Sequence, residues 1–130
     1  MTRSGFEMRV RIPARWSSVE SVLAQLRERA PDLRKCFGAE LVLREALNNA
    51  VLHGCQCDER KRITCRIRVD SRRIVVSVRD EGDGFDWRAS KRGQATPEAE
   101  SGRGLSIFGA YATRVRFNES GNAVTIVKRR

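Results

Sequence analysis

Apolar and charged residues alternate in short runs along this chain, and the period of each run predicts an element. Glu7 to Ile12 reads as a strand ended by Pro13. Ser17 with Glu20 three residues on forms a capping-box signature, so Ser17 is the expected N-cap of a helix. Val19, Val22, Leu23 and Leu26 line one face of that helix, and Pro31 stops it. A second helix is predicted from Phe37 to His53, with Leu43, Ala46, Leu47, Ala50 and Val51 as its apolar stripe and Gly54 as a left-handed residue closing it. Ile63, Cys65, Ile67 and Val69 then alternate with Arg62, Thr64, Arg66 and Arg68, giving a strand with one apolar and one basic face. Asp70-Ser71-Arg72 turns the chain, and the strand returns to Asp80 with Ile74, Val76 and Val78 facing inward. From Glu81 to Gly104 there is little to bury, so a long loop is expected, and loops of that length in compact domains are usually functional. A helix over Leu105 to Ala112 and a terminal hairpin turning at Glu119–Asn122 complete the pattern. The class is α+β: one sheet with helices on one face.

Length adds that 130 residues make a single domain, large enough for a core without staples. The first residues have no apolar h-region and no window is apolar enough for a membrane span, which points to a cytoplasmic protein. Charge changes the picture more. Lys and Arg number 26 against 16 Asp and Glu, for a net +10, and all but four of the 26 are arginine. So positive a field favours acidic partners, yet aromatics are only 6%, which is poor in stacking platforms for single-stranded nucleic acid. The basic strand face (Arg62, Arg66, Arg68) reads as a solvated face, a docking surface for an acidic protein, or a nucleic-acid site. His53, Cys55, Cys57 and Cys65 match no structural zinc spacing well.

Three features depart from purely structural logic. Glu45 and Asn49 are four residues apart, about 40° around a helix, so both sit on one face as a candidate base and a candidate Mg²⁺ ligand. Asp80 has the parity of the apolar side, where a carboxylate needs a donor, and Gly82 and Gly84 follow it in DEGDG, an arrangement expected to use positive φ for close approach to a ligand. Ser101-Gly102-Arg103-Gly104 opens a helix, where free N–H groups suit a phosphate.

Taken together, E-x-x-x-N on a helix, D-x-G-x-G ending a strand and G-x-G at a helix start resemble the ATP-binding domains of the GHKL superfamily. EALNNAVLHG, VRDEGDGF and SGRGLSIFGAYA look most like its stand-alone anti-sigma-factor serine/threonine kinases, from about Pro13 to Lys128. The resemblance implies a two-layer α/β sandwich, the Bergerat fold, with a mixed, mostly antiparallel sheet behind helices. It implies ATP and Mg²⁺ as cofactors, with Asn49 holding the metal, Glu45 acting on the attacking hydroxyl and Asp80 accepting from the adenine amine, which selects ATP over GTP. Gly82 and Gly84 would border the adenine pocket, residues 87–101 would form the lid, and Gly102, Arg103 and Gly104 would meet the phosphates.

The implied partners are an anti-anti-sigma factor, whose Ser or Thr is phosphorylated, and a sigma factor that competes with it. His53 stands where this subfamily also has a histidine. One departure is Glu100, where related kinases often carry an arginine before the Ser-Gly of the lid end. That departure keeps open a module that binds its partner in response to ATP without kinase activity. A histidine-kinase domain cut from a longer chain is a further reading. Homodimerisation is left open by the sequence, since an arginine-studded face repels a copy of itself unless carboxylates interleave.

Overall fold

The computed structural model describes residues 5–35, 38–82, 111–118 and 120–130. Strand β1 (Phe6–Pro13) leads into helix α1 (Trp16–Arg29), a short 3₁₀ turn (Pro31–Lys35) and helix α2 (Ala39–Asn49). A π-helical turn (Ala50–Gly54) follows, then β2 (Arg62–Val69), β3 (Arg73–Asp80), β4 (Arg114–Phe117) and β5 (Ala123–Arg129). The sheet order is β1-β2-β3-β5-β4, and every pairing among the described strands is antiparallel. No helix among the described residues is long and apolar enough to cross a membrane.

Alternation sorts the sheet into two faces. Met8, Ile63, Cys65, Ile67, Val76, Val78 and Ile126 are buried on the inner face, together with Val19, Val22 and Leu23 of α1 and Val42, Leu43, Ala46 and Leu47 of α2. The outer face carries the arginines. The architecture is a two-layer α/β sandwich with α1 and α2 on one face, and the apolar stripes anticipated from periodicity form its core.

Three local expectations are corrected. Helix α1 starts two residues early, at Trp16, with Arg15 rather than Ser17 as its N-cap and no side-chain cap bond. Ala14 is fully buried and its N–H donates to Lys61 O at 3.1 Å, which pins the chain before Ser17 can act. Glu20, the expected capping partner, instead pairs with Arg44 of α2. Helix α2 begins at Ala39 behind Gly38, whose φ of 85° suits glycine; residue 37 lies outside the described residues. Gly54 is not left-handed: the helix widens into the π turn, where Cys55 N–H donates to Ala50 O at 2.8 Å, and positive φ appears later, at Gln56 and Cys57.

Candidate functional site

Asp80 ends β3 on the inner parity, opposite Ile63, and is 7% exposed. Its Oδ1 accepts the Gly82 N–H at 2.8 Å, and its own N–H donates to Asn122 O at 2.9 Å. No described residue places a hydrogen-bond donor on Oδ2. Burial pushes the Asp80 carboxyl above the usual aspartate range, opposed by the Gly82 N–H and by the charges of Lys61 and Arg79. A carboxylate held this way has acceptor capacity that a ligand N–H can use.

Two glycines make room for it. A Cβ on Gly54 would fall on the Asp80 carboxylate, 2.7 Å from Oδ1 and nearer still to Cγ and Oδ2. A Cβ on Gly82 would overlap the Gly54 carbonyl oxygen and stand 2.9 Å from Asp80 Oδ1. Gly82 does not adopt positive φ, contrary to expectation; glycine is needed there for space. The π turn is what delivers Gly54 to this spot, and π turns recur at functional sites.

Asp80 opens into a small cleft. Helix α2 supplies Ala46, Asn49 and Ala50, β3 supplies Val78, and the β4–β5 hairpin supplies Phe117, Gly121, Asn122, Ala123 and Val124. That last wall was missed in the sequence. Its turn is built by Asn118, whose Oδ1 accepts from Gly121 N at 2.8 Å and from Ala123 N at 3.2 Å, with Gly121 at a φ of 80°. An Asn-x-x-Gly turn carries a structural signal but not a functional one.

The structure thus brings Asn49, Asp80 and Gly82 together. Glu45, half-buried one turn before Asn49, is on the same helix but does not line the cleft. Gly84, Glu100, Gly102, Arg103 and Gly104, and the anticipated lid and third helix up to residue 110, lie outside the described residues. Cys65 is buried on the inner sheet face, its thiol pushed up to about 12 by desolvation, and no group of three His, Cys, Asp or Glu among the described residues is arranged to hold a metal.

The sequence model of the histidine kinase-like ATPase domain matches residues 12–128. The chain belongs to that family. Among curated relatives of this histidine kinase-like ATPase domain, an anti-sigma F factor of Clostridium perfringens (strain SM101 / Type A) is 25% identical over 118 residues, covering 87% of this chain and 82% of that protein. The anti-sigma F factor of Clostridium perfringens strain 13 is 29% identical over 98 residues, 72% of this chain and 68% of its own length. Serine-protein kinase RsbW of Bacillus subtilis (strain 168) is 33% identical over 98 residues, 68% of this chain and 61% of that protein. Membership implies that the domain binds ATP, and the cradle fits an adenine: a buried carboxylate with an available oxygen, beside two glycines where any Cβ would intrude.

Proposed function

We propose that residues 1–130 form a single domain acting as an ATP-dependent serine/threonine protein kinase of the anti-sigma type. Its substrate would be a Ser or Thr of an anti-anti-sigma partner, and it would sequester a sigma factor when that partner is phosphorylated. Partners of this kind place it in the cytoplasm. The observation that carries the reading is Asp80, buried at one end of a cleft that Asn49 also lines.

When bound, Mg·ATP supplies the γ-phosphoryl group and the cation that offsets its charge. The chain's own residues do the positioning. Asp80 Oδ2 accepts the exocyclic N–H of adenine, and a guanine, which presents a carbonyl there, would meet the carboxylate as acceptor against acceptor. Asn49 offers its amide oxygen to the metal. Glu45, one turn away, takes the proton from the attacking hydroxyl. Gly84, Gly102, Arg103 and Gly104 are assigned to the adenine and phosphate contacts by their motifs.

A second reading, an ATP-responsive binding module without kinase activity, is favoured by Glu100 in the place of an arginine.

Thermal unfolding with and without Mg·ATP tests the pocket. At ~100 times Kd, ATP should add about 2.7 kcal/mol, a shift of several degrees that GTP does not produce and Asp80→Ala loses. Radiolabelled phosphate appearing on a co-purified anti-anti-sigma protein, and lost in Glu45→Ala, supports the kinase. ATP-dependent capture with no transfer supports the module.

A further inference from the structure

The outer face of the sheet lies on the opposite side from the ATP cleft, and strand register orders its side chains into rungs. One rung runs Arg9, Arg66, Ser77, Thr125, Arg116 across the five strands, and the next runs Glu7, Arg68, Val75, Val127, Arg114. Arginines therefore stand in two rails along the strands, one on β1 and β2 and one on β4, all exposed. Between the rails, these two rungs of β3 and β5 form a neutral floor in which half-buried Val75 and Val127 face each other, beside Ser77 and Thr125, while outward Arg79 beyond one end and Arg73 and Arg129 beyond the other close it. Glu7, paired with Arg66 at 2.7 Å, is the one carboxylate at an outward strand position among the described residues. No ion pair among them engages Arg9, Arg68, Arg114 or Arg116.

We propose that this trough is a docking surface for an acidic, amphipathic helix of a partner protein. From β2 to β4 is three strand spacings, about 14 Å. A helix with its side chains is about 10–12 Å across, so it fits lengthwise between the rails. The neutral floor spans two rungs, about 7 Å along the strands, a little more than one helical turn, so the arginines beyond its ends add to those on its sides. Carboxylates on both flanks of that helix meet guanidinium groups on both sides, and its apolar stripe covers Val75 and Val127. An apolar centre with arginine around it is the anatomy of protein interfaces.

The same pattern disfavours other occupants. A second copy would set arginine against arginine. Single-stranded nucleic acid needs aromatic platforms, whereas Phe6 and Phe117 pack towards the core and no other aromatic stands on a described strand. A phosphate backbone would leave the apolar floor unused.

The proposal is independent of the ATP cleft and is tested without nucleotide. The probe is a fluorescein-labelled 18-residue helical peptide with glutamates along both flanks and leucines along one stripe, titrated with the full chain in fluorescence anisotropy. Binding is expected to weaken as salt rises, to fall at least tenfold in R68Q/R114Q/R116Q, and to vanish when the peptide's glutamates become lysines. A second variant, T125W, fills the floor without changing charge and is also expected to weaken binding, with circular dichroism and the melting midpoint confirming its fold. Unchanged affinity in either folded variant overturns the proposal. So does a labelled 12-base-pair DNA duplex that binds more tightly than the peptide at the same salt.

Discussion

Asp80 combines burial with ionisation, and that conflict sets a pH signature. Its carboxyl is raised by desolvation, so the native state holds this proton more tightly than the unfolded chain does. The protonated form therefore stabilises the fold below the usual aspartate range, and this contribution is lost as pH rises through the raised native value. Asp80→Asn keeps an acceptor for the Gly82 N–H but has nothing to ionise. Urea unfolding followed against pH should show the variant gaining on the natural chain as pH rises from the usual aspartate range through the raised native value, and levelling off above it. The exposed carboxylates behave oppositely. Glu7, Asp58 and Glu81 are held below their usual range by hydrogen bonds from Arg66, Arg60 and the Arg62 backbone, so what they contribute is lost as pH falls. The Asn-minus-Asp difference isolates the buried group from them. Gly54 carries the matching steric prediction. In Gly54→Ala the new methyl displaces the Asp80 carboxylate, costing about 1–3 kcal/mol by overpacking and abolishing the thermal shift with Mg·ATP.

At the scale of elements, the β4–β5 turn does more than join two strands. Asn118 accepts from two backbone N–H groups with one oxygen, and its amide donates to Asn122 Oδ1 at 2.6 Å. Asn122 in turn accepts the Asp80 backbone N–H through its carbonyl and lines the cleft. Asn118→Ala leaves those donors without the side chain that orders them. A loss of about 1–2 kcal/mol in chemical denaturation is expected, together with weaker nucleotide affinity although residue 118 does not itself line the cleft. Affinity unchanged at reduced stability would separate the turn from the site. The π turn after α2 acts similarly: it ties the helix that carries Glu45 and Asn49 to the strand that carries Asp80.

Over the whole molecule, charge is the dominant feature. The described ion pairs are largely solvent-exposed, and exposed pairs contribute little. A net +10 on 130 residues leaves repulsion in excess. Arg9 faces Arg66 and Arg73 faces Arg129 directly across strand pairs, an unfavourable arrangement in a sheet. Screening should therefore stabilise the fold: the melting midpoint is expected to rise between about 0.02 and 0.2 M NaCl, where the Debye length shortens from roughly 20 to 7 Å. A falling midpoint would mean that the ion pairs outweigh the repulsion. The face that incurs this repulsion is the one proposed to receive an acidic helix.

Periodicity by itself determined the order of the elements, the inner and outer faces of β2 and β3, the apolar stripes of both helices and the inward direction of Asp80. These follow from repeats of 2 and 3.6 residues, which are local properties. Local rules failed where a distant segment decides. Ser17 lost the helix start because Ala14 is held by Lys61 of a remote turn, and Glu20 was drawn to Arg44 instead of its own helix end. Gly54 and Gly82 look like conformational glycines in isolation, yet both are required by atoms brought to them across the fold. The cleft wall from the β4–β5 hairpin and the two arginine rails likewise depend on which strands are neighbours. The order β1-β2-β3-β5-β4 places β5 between β3 and β4. Sequence spacing cannot encode that arrangement, because packing of the sheet against helices such as α1 and α2 selects it.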